Sequence, residues 1–219
     1  CSSDLITAGL EEKGIKTNFL KVKEPTRINV FTRVLDQNVE YKEVNPGPEV
    51  GQDVQDKFLK YLKDTLKADD TLIISGSFSR GIKAEYLVEI AKITAEKKVK
   101  LVIDSSSKVV LDTLEYQPYL LKPNDQELAS FFDLNEKLDQ KKIIELARKL
   151  ISAGCQNVLV SLGENGAALI NKDHAYFGNA PKIQALNTAG AGDTMLGTFI
   201  GEKEKDKSDT VALKSAIAA

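Results

Sequence analysis

The stretch Thr71-Leu72-Ile73-Ile74-Ser75-Gly76-Ser77 decides the fold, because a short, β-branched apolar run ends abruptly in small turn residues. Upstream of it, apolar residues recur at helical spacing, at Val54, Phe58, Tyr61, Leu62 and Leu66. This part of the chain is therefore predicted to form a helix, a strand and a turn in succession.

The same order recurs downstream. Residues 101–104, 119–121 and 158–161 are further apolar runs, and the spacing of apolar residues over 87–91 and 143–151 predicts helices between them. Strands without polar alternation, separated by amphipathic helices, are typical of a parallel sheet with both faces covered. The sequence therefore predicts an α/β protein, and its length suits one large domain with a small addition.

Two segments depart from this order and are predicted to form hairpins. Residues 27–35 and 39–44, joined by Asp36-Gln37-Asn38, have the mixed polarity of strands with one wet face, and we interpret residues 26–46 as a lid. Residues 167–170 and 174–177 predict a second, structural hairpin near the sheet edge. The charged residues 202–209 are interpreted as a solvated loop.

The composition excludes several classes of partner. With 30 basic and 32 acidic residues, the net charge of -2 gives no reason to expect nucleic acid or an anionic membrane. No apolar run approaches the roughly 20 residues of a membrane span, so a cytoplasmic location is expected.

Cys1 and Cys155 form neither a disulfide framework nor a metal cluster, and Cys155 is predicted to be a core residue. His174 is interpreted as a hairpin residue.

The segment Ala189-Gly190-Ala191-Gly192-Asp193-Thr194-Met195 places two glycines and a carboxylate at the start of a predicted helix. The N–H groups of Ala191, Gly192 and Asp193 would converge there, with the positive end of the helix dipole behind them. Such a site favours a phosphoryl group in transfer, and Asp193 could accept the proton of an attacking hydroxyl. A simpler interpretation is a helix start with Asp193 as its cap, and the short motif does not decide between the two.

The segment Lys122-Pro123-Asn124-Asp125-Gln126-Glu127 ends a predicted strand and opens a predicted helix. Asn124 and Glu127 have the spacing of a helix-capping pair. At the carboxyl end of a strand, their oxygens could also hold a hydrated magnesium ion. The two interpretations are compatible.

Two further segments give weaker signals. Ser161-Leu162-Gly163-Glu164-Asn165-Gly166 follows a buried strand, and its glycines would let the phosphates or ribose of a nucleotide approach the backbone. Arg27 and Asn29 are predicted to share one face of a hairpin strand, with an Arg suited to phosphate and an Asn suited to sugar hydroxyls. Neither signal is specific alone.

In this order, the segments together resemble the PfkB family of carbohydrate kinases, which have a ribokinase-like fold. The resemblance covers essentially the whole chain and is carried by residues 26–30, 45–49, 75–77, 102–106, 121–127, 161–166 and 187–193. It implies a three-layer αβα sandwich with a mostly parallel sheet and a small β-hairpin lid. The chain is most similar to the sugar-phosphate branch of the family.

The resemblance also implies roles for individual residues. One set corresponds to the machinery of phosphoryl transfer: Asp193 as the catalytic base, with Gly190, Ala191 and Gly192 as the anion hole. A second set corresponds to the site of ATP and magnesium: Ser161, Gly163, Glu164, Gly166 and Lys122, with Asn124 and Glu127 also holding the metal through water. Arg27, with Asn29 beside it, matches a position that grips the phosphate already on the substrate. Lids of this family often form homodimers.

The implied reaction is the ATP-dependent phosphorylation of a ketohexose phosphate. Residues 26–30 and 104–106 look most like 1-phosphofructokinase, so fructose 1-phosphate giving fructose 1,6-bisphosphate is the first expectation. Tagatose-6-phosphate kinase and the minor 6-phosphofructokinase are the alternatives. A non-catalytic sensor of sugar phosphates or nucleotides on the same fold is an alternative of another class, although a sensor has no need of a base such as Asp193.

The chain departs from the family at its two ends. Such kinases usually begin with a core strand and a segment of the form G-G-K-G-x-N, which nothing here matches, and they continue beyond the helix predicted around residues 216–219. We therefore expect this sequence to be incomplete at both ends.

Overall fold

The computed structural model describes residues 2–34, 36–37, 39–183 and 188–219. The chain divides into two compact units. The first consists of Cys1–Thr65 with Phe78–Tyr86, and the second of Leu66–Ser77 with Leu87–Ala219. The assignment of the whole chain to one kinase domain stays a prediction.

The first unit contains the predicted lid hairpin. Helix α1 spans Ser2–Glu11, strands β1 and β2 span Val30–Val34 and Val39–Glu43, and helix α2 spans Gln52–Thr65. Strands β1 and β2 pair antiparallel, from Val30 opposite Glu43 to Val34 opposite Val39. The hairpin is thus confirmed, over a shorter range than predicted, while residues 35 and 38 of its predicted strand end and turn lie outside the described residues. Helix α1 was not predicted.

The second unit is built on a six-stranded sheet with the order β3-β4-β5-β6-β7-β8. The strands are β3 Thr71–Ser75, β4 Lys100–Asp104, β5 Leu120–Leu121, β6 Asn157–Ser161, β7 Ala167–Asn171 and β8 Ala175–Gly178. Strands β3 to β6 run parallel, and β7 and β8 are added antiparallel. Both the mostly parallel sheet and the second hairpin at its edge are confirmed.

The remaining helices are α3 Glu85–Lys97, α4 Asp125–Phe131, α5 Gln140–Ser152, α6 Ala191–Lys203 and α7 Asp209–Ala218. The predicted loop at residues 202–209 is wrong at its two ends. Lys203 still belongs to α6, and Asp209 opens α7, where its carboxylate lies favourably at the positive end of the helix dipole. Within the described part of the chain, no helix is both long and apolar enough to cross a membrane.

Helices cover both faces of the sheet. On one face, Val102, Leu159 and Leu169 are fully buried in a cluster with Phe199 of α6 and Leu213 of α7. Neighbouring strand residues point to the opposite face, where α5 packs on β6 and β7. The expected layers of helix, sheet and helix are therefore present.

Two predictions about single residues are also confirmed. Cys155 is buried, and this burial raises the pKa of its thiol from 9.0 to about 12. His174 lies at the β7–β8 turn, where its ring meets Tyr176 edge-on with 5.3 Å between the ring centroids.

Candidate active site

The candidate site lies at the carboxyl ends of β3 to β6, the edge at which open α/β sheets bind ligands. Asn124 and Ser161 form an isolated parallel bridge there, and the backbone N–H of Ser161 donates to the carbonyl of Pro123 at 3.0 Å. The two segments expected to bind the nucleotide are thus neighbours in space.

The start of α6 has the geometry of an anion-binding turn. Gly190 is the N-cap residue with φ of 79°, a conformation that glycine adopts without strain, and Thr194 makes the first helical hydrogen bond, to the carbonyl of Gly190 at 2.8 Å. The N–H groups of Gly192 and Asp193 therefore lie ahead of the first i→i−4 hydrogen bond of the helix. The N–H of Ala191, expected to face an anion, donates instead to the carbonyl of Thr188 at 3.3 Å.

Asp193 is not the cap of this helix, so the simpler interpretation of the motif is wrong. The cap is Gly190, which has no side chain to donate or accept, and Asp193 lies in the first turn of the helix. Its carboxylate is exposed, and Oδ1 accepts a hydrogen bond from the Ser75 hydroxyl at 3.4 Å. An exposed carboxylate beside a helix start is available to a substrate hydroxyl; the role of Asp193 as catalytic base stays a prediction.

Lys122 places a buried positive charge next to the same helix start. Only 7% of its side chain is exposed, and its ammonium lies 3.1 Å from Oδ1 of Asp104, which is 15% exposed. A Cβ built on Gly192 would lie 3.5 Å from the Nζ atom of Lys122, an ordinary contact distance, so the ammonium lies next to the first turn of α6. The ammonium and the helix dipole favour an anion at this point, with Asp104 offsetting part of the charge of the ammonium.

Asn124 and Glu127 form the predicted capping pair. The side chain of Asn124 accepts from the Glu127 N–H at 2.7 Å, and the Glu127 carboxylate accepts from the Asn124 N–H at 2.9 Å. The described residues contain no group of three His, Cys, Asp or Glu suited to hold a metal directly. Magnesium usually keeps several waters and needs only one or two carboxylates, so this pair fits a metal held through water.

The glycines after β6 differ in what surrounds them. Gly163 has φ of 57° and open space where a side chain would be, whereas a Cβ on Gly166, with φ of 93°, would lie 2.0 Å from the Gly178 carbonyl oxygen. The space beside Gly166 is therefore taken up by the chain itself, and this packing alone requires a glycine there; its contact with ATP stays a prediction. Gly163 fits the predicted approach of a nucleotide to the backbone, and Glu164 beside it is exposed.

Arg27 and Asn29 belong to the first unit and lie before β1, so the predicted shared strand face is wrong. Regular pairing begins only at Val30. The carboxamide oxygen of Asn29 accepts from the Asn45 N–H at 3.2 Å, and the Asn45 side chain donates to the carbonyl of Ile28 at 2.6 Å. Asn29 thereby ties the two ends of the hairpin together. Arg27 is half-buried, and its binding of a substrate phosphate stays a prediction.

The sequence interpretation used Ser75 and Asp104 only as part of the family resemblance and gave them no catalytic or binding role, whereas the structure places both at the centre of the candidate site. They are direct partners at the ends of the neighbouring strands β3 and β4. The Ser75 hydroxyl also donates to Oδ2 of Asp104 at 3.4 Å. The available signal was a polar residue closing each of two apolar runs, and it indicates a site only once the strands are known to be adjacent.

A helix start with the geometry of an anion site, a buried lysine and an exposed carboxylate at the carboxyl ends of parallel strands are groups that suit the class of phosphoryl-transfer enzymes. The comparison with known proteins agrees. The chain matches the model of the pfkB family carbohydrate kinases over residues 2–219, and it belongs to this family.

Two curated relatives have related names. The D-tagatose-1-phosphate kinase of Bacillus licheniformis is 38% identical over 210 residues, which cover 96% of this chain and 67% of that protein. The 1-phosphofructokinase of Borreliella burgdorferi is 32% identical over 223 residues, covering 100% of this chain and 70% of that protein. Both the expected family and its sugar-phosphate branch are thereby supported.

A solved structure shows the same fold. The phosphofructokinase-2 of Escherichia coli in complex with fructose-6-phosphate superposes with a TM-score of 0.88 at 23% identity, over 99% of this chain and 71% of that chain. Solved ribokinases also share the fold. The ribokinase-like architecture is confirmed.

Proposed function

We propose that this PfkB-family kinase transfers the γ-phosphoryl group of ATP to a hydroxyl of a ketohexose phosphate. The observation that carries the proposal is the position of the buried Lys122 ammonium against Gly192, in the helix turn that also presents Asp193. A buried cation and a helix start concentrate positive potential where a phosphoryl group would be transferred. The exposed carboxylate next to them supplies a base for the acceptor hydroxyl.

Each group has a separate task in this reaction. The transferring phosphoryl carries its charge on three equatorial oxygens, and the N–H groups of Gly192 and Asp193, with Lys122, stabilise that charge. The Asp193 carboxylate takes the proton of the attacking hydroxyl. The γ-phosphorus then bonds to the substrate oxygen as its bond to the ADP oxygen breaks. Gly190 allows the turn that brings these groups together.

ATP and magnesium are assigned to the neighbouring strand ends. Ser161, Gly163 and Glu164 are proposed to contact the nucleotide, in line with the open backbone at Gly163. Asn124 and Glu127 would hold a magnesium ion through water, and the ion would neutralise charge on the phosphates. Their capping hydrogen bonds fix both side chains at the strand end, which supports this assignment.

The proposed substrate is a ketohexose 1-phosphate. Fructose 1-phosphate, giving fructose 1,6-bisphosphate, is the first candidate, and the name of the Borreliella burgdorferi relative supports it. Tagatose 1-phosphate is the second candidate, because the relative named for that substrate is 38% identical, against 32% for the 1-phosphofructokinase. The two sugars differ only in the configuration of one hydroxyl group, so a few contacts to that group decide between them. Arg27 is proposed to bind the phosphate that the substrate already carries.

We also propose that two copies of the protein associate into a homodimer through the lid hairpin. Three of its apolar side chains are exposed, Ile28 by 68%, Tyr41 by 58% and Val44 by 61%, and exposed apolar surface favours association. Sedimentation of the full-length protein would give a dimer mass at micromolar concentration, whereas the variant Tyr41→Lys/Val44→Lys would sediment as a monomer. A monomeric wild-type protein contradicts this assignment.

The test of function is ADP release by the full-length protein with ATP and magnesium. Fructose 1-phosphate, tagatose 1-phosphate, fructose 6-phosphate and tagatose 6-phosphate are compared by kcat/KM. We expect one ketose 1-phosphate to be preferred and Asp193→Asn to lose at least about a hundredfold in kcat while remaining folded. Asp173→Asn, an exposed residue of the β7–β8 turn, is the matched control with unchanged activity. Turnover of none of the four sugars would overturn the proposal, and binding of sugar and ATP without ADP release would favour the sensor.

A further inference from the structure

Ser75 places its hydroxyl between two carboxylates. Its Oγ atom lies 3.4 Å from Oδ1 of Asp193 and 3.4 Å from Oδ2 of Asp104, and it is the donor in both contacts. A serine hydroxyl has a single proton and can serve only one of these acceptors at a time. Which of the two carboxylates accepts the hydrogen bond from Ser75 therefore depends on the other partners of each carboxylate.

Asp104 already has a strong partner. Its Oδ1 atom lies 3.1 Å from the ammonium of Lys122, and the pair is largely shielded from solvent. The Asp193 carboxylate is exposed and has no such cation at the distance of an ion pair among the described residues. Asp104 therefore has a second partner for its charge, whereas Ser75 is the only side chain that donates to the Asp193 carboxylate in the described part of the chain.

The backbone holds Ser75 firmly in this position. Ser75 and Asp104 are direct partners in the parallel pairing of β3 and β4, and the N–H of Gly76 donates to the Asp104 carbonyl at 3.0 Å. Both side-chain distances of 3.4 Å are long for O–H···O hydrogen bonds. Catalytic hydrogen bonds are often long in ligand-free enzymes and shorten when the substrate is bound, so the contact to Asp193 is of the expected kind.

We propose that Ser75 is a positioning residue, which orients the Asp193 carboxylate for proton transfer. The inference rests on the proposed function. Before the reaction, the hydroxyl donates to the ionised carboxylate and fixes its orientation. When Asp193 takes the proton of the substrate hydroxyl, its carboxyl group is neutral and a weaker acceptor, and the Ser75 hydroxyl, which keeps its own proton, turns to Asp104 at the same distance.

The first test compares three substitutions at Ser75 in the full-length enzyme. Ser75→Ala removes the hydroxyl, Ser75→Cys keeps the size but replaces a good donor with a weak one, and Ser75→Thr keeps the hydroxyl. Loss of a hydrogen bond to a charged group predicts a kcat lower by roughly ten- to a hundredfold for Ala and Cys. The KM values for ATP and the sugar phosphate should stay within about threefold. Ser208→Ala, an exposed serine at the start of α7, is the control with unchanged kinetics.

The outcomes separate the positioning role from a merely structural one. A tenfold or larger loss in kcat for Ala and Cys, with recovery in Thr to within about threefold of the wild type, supports the proposal. A kcat within twofold of the wild type for Ser75→Ala, a loss carried by KM alone, or a Thr variant as impaired as the Ala variant overturns it.

A second readout does not depend on the identity of the substrate. Crystal structures of the wild type and of Ser75→Ala are compared at the side chain of Asp193, which we expect to leave its wild-type rotamer in the variant. An unchanged rotamer overturns the inference. If the wild type phosphorylates none of the four ketose phosphates, the proposed function fails, while this comparison still tests whether Ser75 orients Asp193.

Discussion

The ammonium of Lys122 and the carboxylate of Asp104 form an ion pair at 3.1 Å in which both side chains are largely buried. Removing one partner of such a pair leaves a buried charge without compensation. The structure therefore predicts that Lys122→Met lowers the free energy of unfolding by about 3 kcal/mol, as measured by urea denaturation, and that it abolishes kinase activity.

Two further variants separate stability from function at this pair. Lys122→Met/Asp104→Asn should regain most of the lost stability, because the unpaired charge is gone, yet it should remain inactive. Lys100→Met breaks a pair with Glu204 whose side chains are 41% and 47% exposed, and it should cost less than about 1 kcal/mol. An active double variant would show that the Lys122 charge does not bind phosphate.

Glu127 offers a way to separate helix capping from metal binding. Its carboxylate accepts from the Asn124 N–H, and the amide oxygen of Glu127→Gln can accept the same hydrogen bond. We expect Glu127→Gln to melt like the wild type but to need at least about tenfold more magnesium for half-maximal activity, since the negative charge is lost. Glu127→Ala should in addition lose about 1 kcal/mol of stability. An unchanged magnesium requirement in Glu127→Gln would leave capping as the whole role of this residue.

Much of the fold followed from the sequence because β4, β5 and β6 are buried and their apolar runs are unmistakable, whereas β3 at the edge of the sheet is only partly buried. The motif before Asp193 also located the start of α6. The interaction of Ser75 with Asp104 and Asp193 could not be predicted, because the residues lie 29 and 118 positions apart in the chain and meet only through strand order. The sequence predicts a strand at Arg27, because alternation along the chain does not show where hydrogen-bonded pairing begins.

Burial of Cys155 makes the free energy of unfolding fall as the pH becomes alkaline. Its pKa is raised from 9.0 to about 12 in the folded protein, so between these values the thiol ionises only in the unfolded chain. The unfolded state then binds fewer protons, and the free energy of unfolding falls as pH rises through this range. Relative to Cys155→Ala, in which all other titrating groups are shared, the wild type should lose about 1 kcal/mol between pH 8 and pH 10. If the difference in the free energy of unfolding between the wild type and Cys155→Ala is the same at pH 8 and pH 10, the thiol does not titrate in this way.

The two glycines after β6 should respond differently to the same substitution. At Gly166, a Cβ would lie 2.0 Å from the carbonyl oxygen of Gly178, and the backbone φ of 93° disfavours any side chain. We expect Gly166→Ala to lose about 3 kcal/mol of stability, because the steric clash adds to the backbone strain.

At Gly163, the surroundings are open and φ is 57°, so Gly163→Ala should cost about 1 kcal/mol and leave the protein folded. If the nucleotide approaches the backbone at Gly163, this variant should raise KM for ATP severalfold while KM for the sugar phosphate stays constant. Thermal unfolding and initial-rate kinetics of both variants give the comparison. Equal stability of the two would mean that β8 does not pack against Gly166, and an unchanged KM for ATP in Gly163→Ala would place the nucleotide away from this turn.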